Sequence, residues 1–400
     1  MFKPKVDRIS YGGAMIGKEE KDAINKVIDS QGGRRWTIGE ESELLEKELA
    51  EVVGMERAVL VNSGSSALLV AVASLHLPKG SLVAIPALNF PTAYNAIIQN
   101  GLTPYVIDID PDNLLIDLTE IRKALDKGED IKAVIAVNIA SNPVDLKLLR
   151  EIVGPDCKII LDNCDGFGTL IRRNFVETYS DLACTSFHAA HIITMGEGGA
   201  IFTNDLELAD RCKKLREWGR ASGTDKIYSY PGFPDDYRER YVYEEIGWNL
   251  KPLELQCAMG RVQLKRLNEF RIKRIENFER LYEGIKDIPQ YKPVFWDIDT
   301  TVCWFSFPII CDGVSRGKVM DYLEKNNIEC RTIFSGNILK HPAYKDVSYK
   351  CNGTEMKEAD NVMKNGLFLS VHPSITKEML DFMIKCLKDA VKTAPKEAIS

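Results

Sequence analysis

The sequence predicts an α/β protein: a large domain on a mostly parallel sheet, followed by a smaller α+β domain. Three observations predict it. Apolar runs of strand length alternate with amphipathic stretches through the first half. That alternation stops after about residue 205. The chain has 400 residues, and roughly 150 residues per domain is a common allowance, so one small domain is excluded.

Residues 58–61, 82–85, 104–109, 133–137, 158–161, 181–185 and 199–202 read as strands, being short runs rich in Val, Ile, Leu and Ala. Residues 66–75, 93–99, 118–124 and 146–153 read as the helices between them. Such alternation gives a parallel sheet with helices on both faces. Residues 206–218 look helical. Residues 221–246, rich in Tyr, Gly, Pro and charge, read as a long loop of the kind that carries function. One long helix is expected over 252–285, then a strand over 301–310 and helices over 316–326 and 377–392. The expected division is 1–250 for the large domain and 251–400 for the small one.

Hydrophobic residues make up 45% and charged residues 28%, which excludes disordered, collagenous and coiled-coil chains. The net charge is −6, from 52 basic and 58 acidic residues, and argues against a nucleic-acid binder. No apolar run reaches the roughly 18 residues of a membrane span. Met1-Phe2-Lys3-Pro4-Lys5 is followed by no apolar signal core, so a cytoplasmic protein is expected. Ten cysteines form no C-x-x-C pair and read as reduced, mostly core thiols. No metal site is expected.

Four segments at strand exits carry chemistry. In Asn62-Ser63-Gly64-Ser65-Ser66-Ala67, small residues at a helix start suit an anion, or simply an N-cap. Asp162 ends an apolar strand. A carboxylate there could pair with a protonated ring nitrogen, cap the next helix or bind a metal. The segment from Ser186-Phe187-His188 through His191 to Gly196-Glu197-Gly198-Gly199 holds two of five histidines, suited to acid–base work or, less well, to metal. Phe90 could stack on a planar cofactor or join the core.

In this order the segments resemble the DegT/DnrJ/EryC1 family of pyridoxal-phosphate (PLP) sugar enzymes. The carrying residues are Gly64-Ser65-Ser66-Ala67, Asp162-Asn163-Cys164-Asp165, the Ser186-Phe187-His188 block with His191, and Gly247-Trp248-Asn249-Leu250-Lys251. The resemblance runs from about residue 10 to 390. It implies the aspartate-aminotransferase-like fold (PLP fold type I). One departure stands out: the family's aminotransferases have lysine, which forms the Schiff base, where this chain has His191. An imidazole cannot form that bond, but it moves protons near neutral pH. Histidine at this position marks the family's sugar-nucleotide 3-dehydratases. The resemblance extends to Phe334-Ser335-Gly336-Asn337 and His341-Pro342-Ala343-Tyr344. The iron–sulfur kind of 3-dehydratase carries cysteines between the segments that here are Trp218-Gly219-Arg220 and Gly247-Trp248-Asn249. This chain has none there.

The resemblance implies PLP and its amine form, pyridoxamine phosphate (PMP), with L-glutamate as amino donor and a nucleotide-linked 4-keto-6-deoxyhexose as substrate. It implies His191 as acid–base catalyst and Asp162 on the ring nitrogen; a nucleotide-sugar aminotransferase using glutamate and a catalytically retired PLP-fold binding protein are the alternatives. Gly64, Ser65, Ser66 and Ser186 would hold the phosphate, Phe90 would stack on the ring, and Asp165 would lie near the ring oxygen. Asn249 would reach the phosphate in the neighbouring subunit of a homodimer. His188, Phe334, Ser335, Asn337, His341 and His372 are substrate-contact candidates. The role of the turn at 138–143 is open.

Overall fold

The computed structural model describes residues 2–31, 36–222, 226–297, 299–353 and 355–393. Seven strands form the large sheet. Their spatial order is Arg57–Val61, Gly199–Thr203, Leu182–Ser186, Lys158–Asp162, Ile131–Val137, Leu82–Pro86 and Thr103–Ile107. All neighbours pair parallel except those of Gly199–Thr203, which runs antiparallel to both of its partners. Nearly every position of these strands is buried, which explains why they read as unbroken apolar runs. Every strand expected in this half is present, within two residues at each end. Because the strands are parallel, the exits of Leu82–Pro86, Lys158–Asp162 and Leu182–Ser186 open on one edge of the sheet.

A second sheet orders its strands Tyr291–Pro293, Ser306–Cys311, Gly366–Ser370 and Cys330–Thr332, all antiparallel. The helices Arg316–Lys325 and Lys377–Thr393 pack together beside it.

Two expectations are corrected here. The single helix over 252–285 is two helices, Glu254–Lys265 and Leu267–Ile285. The first packs on Lys18–Gln31 and Glu40–Val53, the second on Lys377–Thr393 and the second sheet, so the chain changes partners at Arg266. The Arg266 N–H turns to the Gln263 carbonyl, and its guanidinium donates to Met15 O and Glu20. The strand over 301–310 is also split. Thr300–Thr301 joins a small ribbon, and only Ser306–Cys311 joins the second sheet. Between them, the Cys303 N–H donates to Thr169 Oγ1 and the Phe305 N–H to Ser141 Oγ. Side chains from the large sheet's loops take bonds that a strand would give to its neighbour.

The loop over 221–246 contains one short turn of 3₁₀-helix, Glu239–Tyr241, and residues 223–225 lie outside the described residues. The helices Lys18–Gln31 and Glu40–Val53 were not expected from the sequence. The second is anchored from afar: buried Glu254 accepts the Gly39, Glu41 and Ser42 N–H groups at its start.

Candidate active site

A cavity of about 400 Å³ opens at the strand exits, lined among others by Gly64, Ser65, Phe90, Asp162, Asp165, Ser186, His188, His191 and Phe334. Four loops that are remote in sequence therefore meet, as the order of motifs predicts.

Helix Gly64–Ser74 points its N-terminus into the cavity. Ser63 is its N-cap, and Ser63 Oγ accepts the Ser66 N–H at 3.1 Å. Ser66 itself turns away: its hydroxyl donates to Asn62 Oδ1 at 2.7 Å, and Ser63 lines the cavity instead. Gly64 is required by close packing. A Cβ there would lie 2.6 Å from Ser186 Cβ and 2.8 Å from Cys164 Sγ. Ser186 closes the other side of this small-residue cradle, where free N–H groups and the helix dipole favour an anion.

Asp162 is the last residue of its strand and is buried. Its Oδ1 accepts the Cys164 N–H at 3.2 Å, and no basic side chain among the described residues pairs with it. Burial raises its carboxyl above the ordinary range. A buried carboxylate without a counter-charge, facing a cavity, fits a ligand that brings its own N⁺–H. Phe90 is 53% exposed at the cavity and meets the Phe334 ring edge-on at 6.2 Å. Anion cradle, carboxylate and aromatic face together fit a phosphorylated pyridine.

His191 forms the far wall. Its Nδ1 lies 3.7 Å from Asp165 Oδ1, is buried, and has no hydrogen-bond partner. Its ring stacks on Phe305 at 5.1 Å and meets His188 edge-on at 5.9 Å. Burial, with lesser repulsion from His188 and Arg274, lowers its pKa to about 3. The imidazole is thus neutral, with its Nδ1 unpartnered. Burial, then the neighbouring Asp162, raises the Asp165 carboxyl well above the ordinary range.

Among the substrate-contact candidates, His188 and Phe334 line the cavity. The others do not. Ser335 Oγ donates to Asn89 O, Asn337 Nδ2 to Asp360, and His341 Nε2 meets Ser335 O at 2.7 Å. His372 bonds Ser374 at 2.7 Å in a small recess that His191 also lines. Asn249 is exposed and accepts from Lys251 Nζ at 2.7 Å, outside the cavity. No lysine among the described residues lines the cavity. Lys251 Nζ sits 3.3 Å over the Trp218 ring, and Lys158 Nζ lies 3.8 Å from Asp181. Among the described residues, no cluster of His, Cys, Asp or Glu is arranged to hold a metal. No helix among them is long and apolar enough to cross a membrane.

Sequence reasoning missed Phe305, Arg274 and Tyr11. Arg274 is fully buried and donates to the Trp304, Phe305 and His191 carbonyls. Tyr11 packs edge-on against Phe305. Arg274 had one signal, a charge on the inward face of an amphipathic helix.

A family model, the DegT/DnrJ/EryC1/StrS aminotransferase family, matches residues 15–388. The chain belongs to this family. Family membership and fold are those of PLP-dependent, sugar-modifying enzymes of the aminotransferase-like architecture. Similar relatives include a dTDP-4-dehydro-2,6-dideoxy-D-glucose 3-dehydratase from Saccharopolyspora spinosa, 31% identical over 96% of this chain and 86% of its own. A GDP-4-keto-6-deoxy-D-mannose 3-dehydratase from Escherichia coli O55:H7 is 32% identical over 92% of this chain and 96% of its own. A crystal structure of GDP-4-keto-6-deoxymannose-3-dehydratase with a trapped PLP-glutamate geminal diamine superposes with a TM-score of 0.87. It is 29% identical and is covered over 94% of this chain and 99% of that one.

Proposed function

We propose that this DegT/DnrJ/EryC1/StrS member is a PLP/PMP-dependent 3-dehydratase. Its substrate is a nucleotide-linked 4-keto-6-deoxyhexose, L-glutamate is the amino donor, and no iron–sulfur cluster takes part. The observation that carries this reading is His191: a neutral imidazole on the cavity wall, with no lysine among the described residues lining the cavity. The 3-dehydratases among its relatives and the glutamate adduct in the similar structure support it.

When bound, the cofactor supplies an amine that condenses with a ketone and a ring that accepts electrons. The protein's residues do the rest. Gly64, Ser65 and Ser186, with the helix N-terminus, hold the phosphate. Asp162 keeps the ring nitrogen protonated through a charge-assisted hydrogen bond. Phe90 would supply an aromatic surface for the ring. His191 takes a proton and returns one to the departing C3 hydroxyl. Asp165 lines the same wall, and its position is taken up below.

We further propose a homodimer in which Asn249 serves the neighbouring subunit's phosphate. Exposed Trp218, Ile246 and Leu253 near Asn249 support a protein-covered surface. The 1–250 and 251–400 division is likewise proposed, with the second sheet in the C-terminal part.

The test is incubation with PLP, L-glutamate and GDP-, CDP- and dTDP-linked 4-keto-6-deoxyhexoses, read by mass spectrometry. A product lighter by one oxygen, with ammonia and 2-oxoglutarate released, supports the reading. A product carrying nitrogen at C4 contradicts it and makes the chain an aminotransferase.

A further inference from the structure

The turn at 138–143 is built with unusual care. Ala140 (φ 54°) and Ser141 (φ 80°) both adopt the left-handed region that non-glycine residues avoid. A Cβ on the neighbouring Gly166 would lie 3.2 Å from Ser141 Cα and 2.3 Å from Asn163 Oδ1, so the turn seats closely on the Asp165 loop. Three bonds result. The Ala140 N–H donates to Asp165 Oδ2 at 3.1 Å. Ser141 Oγ donates to Asp165 O at 2.7 Å. Ser141 Oγ also accepts the Phe305 N–H at 2.9 Å. Asp165 and Phe305, fixed by one turn, both face the His191 ring.

We propose that Asp165 is the positioning residue for His191: it hydrogen-bonds Nδ1, so that Nε2 is the atom that exchanges protons in the cavity. This deepens the 3-dehydratase reading and rests on it. The 3.7 Å separation is the loose spacing of a catalytic pair without substrate. Nδ1 is buried and otherwise unpartnered. The charged or titratable groups facing His191 are Asp165, with Asp162 beyond it, His188 and Arg274. Arg274 Nη1 and Nη2 donate to the carbonyls of Trp304, Phe305 and His191 rather than to Asp165, and its Nε is without a partner.

The test is ¹⁵N NMR of histidine-labelled, cofactor-free protein, with His191 assigned by comparison with His191→Asn. Spectra are recorded at the alkaline end of the folded range. The expected result for the unaltered protein is a protonated Nδ1 and an unprotonated Nε2. In Asp165→Asn, the Ala140 N–H keeps the amide oxygen on its own side, so the amide NH₂ faces Nδ1. The His191 proton then moves to Nε2. Turnover in that variant falls by at least about a hundredfold with KM little changed, as for other histidines forced into the wrong tautomer. An Nε2-protonated imidazole in the unaltered protein, or a tautomer and turnover indifferent to Asp165→Asn, would overturn the proposal. The tautomer is read without turnover. A correct tautomer in a protein that performs no dehydration would therefore reject the functional reading alone.

Discussion

Phe305 lies nearly parallel to the His191 imidazole, ring centroids 5.1 Å apart and planes inclined by 26°. The two residues come from opposite halves of the chain. Phe305 precedes a strand of the second sheet, and His191 follows a strand of the first. This wall of the cavity therefore combines residues from the loops of both sheets.

Phe305→Leu tests that contact. Leucine keeps the bulk and loses the flat face. Aromatic stacking is worth about 0.5–1.5 kcal/mol, so turnover should fall by up to about tenfold with little change in KM. Steady-state kinetics decide it. Unchanged turnover would make Phe305 a packing residue only.

His191→Lys should retain the cofactor covalently through gel filtration, with a shifted absorbance band and dehydration lost. His191→Asn should take up PLP but leave the C3 hydroxyl in place. Retained 3-dehydration in either variant would remove His191 from the chemistry.

Gly64→Ala puts a methyl group against Ser186 Cβ at 2.6 Å and Cys164 Sγ at 2.8 Å. The cradle must open to admit it. Cofactor affinity, measured by fluorescence titration, should weaken at least about tenfold, the equivalent of about 1.4 kcal/mol.

Glu177 gives a pH dependence that is independent of the chemistry. It is fully buried, with the Asn163 amide donating to Oε1 at 2.7 Å. Burial raises its pKa from 4.5 to about 7. The folded form thus holds this proton more tightly than the unfolded chain. The resulting stability is full below pH 4.5 and is lost as the pH rises to about 7, by about 3 kcal/mol. Glu177→Gln should remove that decline. Thermal unfolding at pH 5 and pH 7.5 shows it as a Tm difference present in the unaltered protein and reduced in the variant.

Much of this was legible because strands buried on both faces write themselves as apolar runs. Chemistry-bearing side chains at their exits, Ser65, Phe90, Asp162 and His191, then fall on one edge of the sheet. Residues outside that logic were not legible. Phe305 sits in an apolar run that reads straight into Ser306–Cys311, yet its N–H is taken by Ser141, a partner distant in sequence. The break at Arg266 arises because the two helices pack on different neighbours, which periodicity within one helix cannot reveal. His341 and Asn337 belong to a motif whose side chains bond one another's neighbourhood rather than the cavity.

The most direct measurement is the mass of the sugar nucleotide recovered after reaction with PLP-loaded protein and L-glutamate, run beside His191→Asn. The 3-dehydratase reading predicts a 3-deoxy product, one oxygen lighter, from the unaltered protein and none from the variant. A 4-amino sugar from the unaltered protein, or the 3-deoxy product from both, would contradict it.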